Sequence, residues 1–411
     1  MDYSLWLIIG GTSAIAFYMA WSIGANDVAN SMATAVGAKA ITHKQAVIIA
    51  GTLVFLGAVF VGPHVTETIK SDIVKIDNFS SNILVLGFIS ALLAAAIWVT
   101  LSTWKAMPIS TTHSIIGALM GFGITAGGIS SVNWLKIGTV AASWALSPLF
   151  GCILSFLVFK IIVRLIFAKK EPVKSARIIG PAIIGFTIFI VSTSLFLKTP
   201  LSKNYNISDF EGILISIIIS IISSIIFIFI FRNIKAKREE DYITVESIFR
   251  KLQIGTSCYV AFSIGSNDVA NAIGPVAGVI PLLNTGELSQ TASIPIWLLA
   301  LGGIGISIGA ITWGKRVMKT VGSRITNLTN TRGFSVDFGA ATTVLVASKI
   351  GLPISTSHTV IGAVIGVGLA RGLEAINLNV IKKIIVSWLL TLPVAAATCI
   401  GIFLCLKMLF V

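Results

Sequence analysis

Long apolar runs separated by short polar segments set the pattern of this chain. Runs near 5–23, 45–61, 83–104, 108–126, 134–166, 178–197 and 211–231 are followed, after a charged segment, by runs near 253–275, 295–313, 336–351, 353–371 and 382–410. Most of them approach or exceed the roughly 20 residues with which a helix crosses about 30 Å of hydrocarbon. The pattern predicts an all-α polytopic membrane protein with twelve transmembrane segments. The run Ile213 to Phe231, almost entirely Ile, Ser and Phe, reads as lipid-facing, and the polar stretch Asn233 to Arg250 reads as a solvated linker. Met1 to Ala20 lacks a basic leader and a small-residue cleavage site, so it is expected to be a span and not a signal peptide.

Composition supports this reading. Hydrophobic residues make up 55% of the 411 residues and charged residues only 11%, against about 25% in ordinary globular proteins. The net charge of +14 would suggest a nucleic-acid partner in a soluble protein. Here the basic residues gather in short loops: Arg164, Lys169, Lys170, Lys174 and Arg177; Arg232, Lys235, Lys237, Arg238, Arg250 and Lys251; and Lys315, Arg316, Lys319, Arg324 and Arg332. The positive-inside rule accounts for them, which makes the lipid bilayer the partner and leaves no role for nucleic acid. It places loop 232–252 in the cytoplasm, the base-poor segments 62–80 and 280–294 outside, and both termini outside a cell (plasma) membrane. Trp104, Trp134 and Trp313, near span ends, read as interfacial anchors. Cys152, Cys258, Cys399 and Cys405 lie in apolar runs without metal-ligand or disulfide spacing and read as core thiols.

The chain repeats itself. Gly24-Ala-Asn-Asp-Val-Ala-Asn30 recurs as Gly265-Ser-Asn-Asp-Val-Ala-Asn271, and Pro108-Ile-Ser-Thr-Thr-His113 recurs as Pro353-Ile-Ser-Thr-Ser-His358. Weaker echoes keep the same order: Gly57-Ala58 with Gly309-Ala310, Gly62, Val65 and Thr68 with Gly314, Val317 and Thr320, and Ser143-Trp144 with Ser387-Trp388. Seven predicted crossings separate the two starts. An odd number makes the copies antiparallel, the inverted-topology arrangement in which secondary transporters place a site between their repeats. The expected organisation is a first repeat over 1–166, two additional spans and a cytoplasmic linker over 167–252, and a second repeat over 253–411, with helical hairpin or broken-helix elements at the centre.

The best-matched residues are polar ones at membrane depth. Of the 16 acids, only Asp27 and Asp268 are expected to lie well inside apolar spans, at equivalent positions. A carboxylate there needs a cation, a proton or a wet cavity. Asn26 and Asn30 flank one, and Asn267 and Asn271 flank the other, on one helical face. Such oxygen-rich clusters suit Na+. Gly24 and Gly265 lower local helix stability and point to a local break that frees carbonyls. Pro108 and Pro353 fit the first turn of a helix, and Ser110, Thr111 and Thr112, or Ser355, Thr356 and Ser357, then bring hydroxyls beside unpaired backbone donors, a natural oxyanion site. His113 and His358, directly after, are candidate accessory groups for a proton relay or for substrate. Glu67 matches Lys319 in the second copy and does not share the symmetry, so no site role is expected for it.

These doubled motifs resemble the inorganic phosphate transporter (PiT) family, and the resemblance covers nearly the whole chain. It implies a phosphate symporter built from an inverted repeat, with a central site, coupled to Na+ or H+ and often assembled as a homodimer. The family's signature residues map onto Asn26, Asp27, Asn30, Asn267, Asp268 and Asn271 and the two Ser/Thr clusters. The expected phosphate-binding residues are thus Asn26, Asp27, Ser110, Thr111, Thr112, Asn267, Asp268, Ser355, Thr356 and Ser357. The expected Na+ ligands are Asp27, Asn30, Ser110, Asp268, Asn271 and Ser355. No resident cofactor is implied, since the sodium is co-transported. The amide-rich cluster favours Na+ over H+ as the coupling ion, and sulfate is the nearest rival substrate. An aspartyl protease using two buried acids is a different class, but neither Asp27 nor Asp268 sits in a Gly-x-Gly-Asp sequence; a channel is a third. The reading is a transporter, not an enzyme.

Overall fold

A computed structural model describes residues 3–61, 73–75, 79–198, 207–232, 234, 240–285, 294–349 and 354–410. Glu67 and Pro353 lie outside these residues. The fold is all-helical apart from turns, with a single antiparallel bridge between Val74 and Val132 among the described residues. In chain order α1 (Tyr3–Ile23) runs through a π-helical turn (Gly24–Val28) into α2 (Ala29–Gly37), followed by α3 (His43–Val61). Then come α4 (Ser81–Trp104), α5 (Thr111–Gly127), α6 (Trp134–Ile162), α7 (Pro172–Lys198) and α8 (Asp209–Arg232). The chain continues with α9 (Asp241–Thr285), α10 (Ile296–Trp313), the short α11 (Lys315–Lys319), α12 (Asn330–Lys349), α13 (Thr356–Arg371) and α14 (Leu378–Phe410). Eight helical stretches among the described residues are long and apolar enough to cross a membrane.

Two helical hairpins hold the centre. The segment leading into α4 lies against the one leaving α5: Lys75 donates its N–H to the Ser131 carbonyl at 2.8 Å and Asn133 to that of Ile73 at 3.0 Å. The α12–α13 pair closes likewise, Asn377 donating to the Ile325 carbonyl at 2.9 Å and Arg371 reaching Thr326 and Asn327 at 3.3 Å. Each pair therefore enters and leaves on one edge, with Pro108-Ile-Ser110 between α4 and α5 and Ile354-Ser355 leading into α13.

Glycines bring the two motif copies against each other's neighbours. A Cβ on Gly24 would stand 1.8 Å from the Ile306 carbonyl oxygen of α10, and one on Gly265 would stand 2.2 Å from that of Val54 in α3. Gly309 and Gly57 return the same contacts, against Trp21 and Phe262. Further along, Gly117 of α5 packs on Leu392 of α14 while Gly362 of α13 packs on Pro148 of α6. Small residues at such crossings let backbones approach where no hydrophobic force drives helices together.

Three expectations need correction. No break opens at either glycine: at Gly24 the helix widens into a π-helical turn with helical backbone on both sides, α9 is continuous through Gly265, and at both positions the missing side chain serves close packing, with α10 and with α3. The polar stretch before Arg250 is not a free linker from Asp241 onward: it forms the first turns of α9, and Val245, Ile248 and Phe249 are buried against Ile162, Val173 and Phe334. Its polarity belongs to one face of an amphipathic helix. Asp337, in α12, is a third buried acid besides Asp27 and Asp268, because packing of α12 on α9 and α2 encloses a residue that lies at the edge of its apolar run. The Ile-rich α8, by contrast, exposes Ile217, Ile218, Ile221, Ile222, Ile225 and Ile226, as a lipid-facing span does.

Candidate functional site

The π-helical turn carries Asp27 into the space between the two hairpin helices. Extra residues in a helical turn shift the side chains that follow, and such turns recur at functional sites. The Asp27 carboxylate is buried and accepts one short hydrogen bond from Thr111, in the first turn of α5, and another from Ser357, in the first turn of α13. The amide of Asn30, one turn on, donates to Ser357 Oγ at 2.6 Å.

The second copy repeats this from the other side. Thr356 donates to Asp268 at 3.3 Å, and Asn271 donates to Thr112 at 3.1 Å and Thr111 at 3.3 Å. Each acidic motif thus meets its own Ser/Thr cluster through the Asp and the other copy's cluster through the Asn. The arrangement is asymmetric in one respect: Asp27 is also held by Ser357 of the second copy, and no equivalent bond to Asp268 forms among the described residues. The side-chain amide oxygen (Oδ1) of Asn30 is buried without a hydrogen-bond partner, which leaves an acceptor near Asp27 free for a cation.

Ser110 and Ser355 occupy matching N-cap positions, with φ −89° and ψ 119° against φ −91° and ψ 119°, and each accepts the N–H of the histidine three residues on. Their hydroxyls fix the helix starts, while Thr111, Thr112, Thr356 and Ser357 present hydroxyls inward beside the positive end of each helix dipole. Asn26 bonds the hairpin turn: its amide donates to Thr103 at 2.9 Å and to the Met107 carbonyl at 3.1 Å, and it accepts from Ile109 N at 3.0 Å. Asn267 is half-buried. Asp27, Asn30, Thr111, Thr112, Asn271 and Ser357 therefore form one hydrogen-bonded network, and Asp268 is bonded to Thr356 of the neighbouring helix start. Asn26, Ser110 and Ser355 shape the backbone around them, and no hydrogen bond joins Asn267 to the group among the described residues.

His113 and His358 are both 2% exposed and meet edge to face at 4.8 Å between ring centroids. Trp144 lies 4.6 Å from His113 and Trp388 stacks 3.7 Å from His358, so four rings run across the junction of the two copies. Trp388 also donates to the Pro108 carbonyl at 3.1 Å.

Sequence reasoning missed a second polar cluster. Asp337 accepts from Thr34 of α2 at 2.7 Å and from Ser257 of α9 at 2.5 Å, and Gln253, one turn before Ser257, is fully buried with both amide atoms unpartnered. A carboxylate flanked by hydroxyls offers oxygens of the kind a hard cation takes. Its signal in the sequence was Ser257 and Gln253 at helical spacing on a span already carrying Asp268.

Comparison with known proteins places these features. The pattern of the "Phosphate transporter family" matches residues 23–399. A protein of Thermococcus kodakarensis named as a phosphate permease is 51% identical over 392 residues, which are 95% of each chain. The chloroplastic inorganic phosphate transporter 2-1 of Arabidopsis thaliana is 38% identical over 417 residues, covering 95% of this chain and 70% of that one. A solved structure described as the sodium-dependent phosphate transporter superposes with a TM-score of 0.90 at 47% identity, covering 98% of this chain and 99% of the other.

Proposed function

Because the chain belongs to the phosphate transporter family, as a multi-pass membrane transporter and not an enzyme, we propose that it imports inorganic phosphate by symport with Na+ through alternating access. The observation that carries this reading is the joint hold on Asp27 by Thr111 of one copy and Ser357 of the other, with Asn30 and Asn271 crossing between copies. A substrate entering there would be shared by two inverted repeats, 1–166 and 253–411, whose relative movement switches access.

The anion is bound by hydroxyls and by backbone N–H groups at the starts of α5 and α13. Neutral donors and helix dipoles hold a multivalent anion without the grip of a Lys or Arg clamp, so release stays fast. Na+ ions take the oxygens of Asp27 and Asn30 on one side and of Asp268 and Asn271 on the other, next to the hydroxyls that face the anion. Each charge then offsets the other, and this reciprocal stabilisation is the thermodynamic content of coupling. Phosphate near neutral pH keeps at least one proton and can donate it to a carboxylate, whereas sulfate offers only repulsion; Asp27 and Asp268 select on that difference.

The test is labelled-phosphate uptake by the purified protein in liposomes with an inward Na+ gradient, a pH gradient or neither, and with sulfate as competitor. Concentrative uptake with the Na+ gradient alone, unaffected by sulfate, is the expected result. Uptake driven only by the pH gradient would replace Na+ with H+, and strong sulfate competition would overturn the selectivity argument.

A further inference from the structure

A cluster around Arg316 lies outside the site described above. α4 ends on Trp104 and α10 on Trp313, each closing an apolar stretch long enough to cross a bilayer. Arg316, in α11, donates from Nη1 to the Trp104 carbonyl at 3.0 Å, and its guanidinium lies 5.9 Å above the Trp313 ring. Both helix ends are therefore at one level, the edge of the hydrocarbon. Trp313 packs on Trp21 at 5.5 Å, and the Trp21 indole donates to Thr312 at 2.9 Å. Trp104 is 57% exposed, and Lys105, Lys315, Arg316 and Lys319 are exposed beside it.

Residues 314–335 contain no acid, and the ion pair Lys174–Glu171 found among the described residues lies elsewhere. Among the described residues no carboxylate pairs with Lys105, Lys315, Arg316 or Lys319. Its aromatic residues sit where indole rings prefer the headgroup level, and guanidinium and ammonium groups together match a phosphodiester. Basic pockets between membrane helices recognise anionic headgroups by this combination. The cluster also adjoins the transport machinery, since Thr103 and the Met107 carbonyl, on either side of the Trp104–Arg316 contact, hold Asn26.

We propose that this cluster binds the headgroup of an anionic phospholipid, with Arg316, Lys315 and Lys105 supplying the charge, and that the bound lipid steadies the α4–α5 hairpin. The binding part stands independently of the transport reading; the steadying part rests on it. The exposed, indole-flanked position at the hydrocarbon edge favours a lipid over free inorganic phosphate.

Purified full-length protein is incubated with mixed micelles containing phosphatidylglycerol or phosphatidylcholine, and retained lipid is counted by native mass spectrometry. Wild type is expected to retain phosphatidylglycerol preferentially, K315Q/R316Q to lose at least fivefold of that retention, and K169Q/K170Q, with the same charge removed from another loop, to keep it. Equal retention by the two double variants, or displacement of the lipid by millimolar inorganic phosphate, would overturn the proposal. K105Q/K315Q keeps the guanidinium contact with Trp104, so folding is preserved; it is expected to lose part of the retention, and undiminished retention would contradict the assignment. In liposomes, raising the phosphatidylglycerol fraction is expected to speed phosphate uptake by wild type but not by R316Q. Wild-type uptake that is measurable yet indifferent to lipid would sink the steadying role alone, while absence of any uptake would instead count against the transport reading.

Discussion

Replacing Ser357 with Ala tests the junction where it is most concentrated. The hydroxyl donates to Asp27 and accepts from Asn30 at 2.6 Å, so one substitution removes a bond to a carboxylate and strands an amide donor. Hydrogen bonds to charged groups contribute about 1.5–3 kcal/mol. With about 1.4 kcal/mol per tenfold in affinity, the KM for phosphate in Na+-driven uptake should rise roughly 10–150-fold. Thr356 reaches Asp268 at 3.3 Å, a longer and weaker contact, so Thr356→Ala should raise KM less, roughly 2–10-fold for about 0.5–1.5 kcal/mol. Ser357→Thr keeps the hydroxyl, and the first copy carries Thr112 at the matching position; near-normal KM is expected. The measurement is initial uptake in liposomes across phosphate concentrations, normalised to protein incorporated. A KM for Ser357→Ala within twofold of wild type, or a larger loss at Thr356 than at Ser357, would refute the reasoning.

Further outcomes follow from packing and chemistry. Gly24→Ala would push a Cβ into the backbone of α10 at 1.8 Å, whereas Gly10 has nothing within 4 Å; thermal unfolding in detergent should show a loss of about 1–3 kcal/mol for the first, as overpacking gives, and none for Gly10→Ala. His113→Phe and His358→Phe keep the aromatic stack without a titratable ring, so both should retain uptake with an unshifted pH profile; selective loss at one pH would instead mark a proton relay. Glu246 accepts from Thr329 at 2.8 Å and from Thr331 N at 3.0 Å at the start of α12. Glu246→Gln removes a charge from a helix N-terminus and should lower unfolding stability by about 0.5–1 kcal/mol, more at low than at high salt.

The fold was legible where composition and repetition both spoke. Apolar runs placed the helices, eight of which are long and apolar enough among the described residues to cross a membrane against the twelve spans expected. Two copies of Gly-x-Asn-Asp-Val-Ala-Asn singled out Asp27 and Asp268, because a carboxylate inside an apolar run is costly and this one occurs twice in the same setting. The pairing was not legible. Nothing local in the sequence says that Asn271 would reach Thr112 of the other copy or that Val74 would bridge Val132, because both contacts depend on tertiary packing. Nearly identical motifs also took different backbone forms, with a π-helical turn at Gly24 and a regular helix at Gly265, although both glycines lie against a neighbouring helix backbone. Asp337 escaped notice because hydropathy judges depth by distance from the end of a run, and α12 is buried by its neighbours from near its first turn.

The most direct measurement is calorimetric titration of phosphate into the detergent-solubilised protein, in sodium and in choline, for wild type and Asp27→Asn. The shared-cluster account predicts that Na+ tightens phosphate binding, that phosphate tightens Na+ binding by the same factor, and that Asp27→Asn abolishes the linkage. Phosphate affinity that is equal in sodium and choline, or a linkage that survives the substitution, would contradict it.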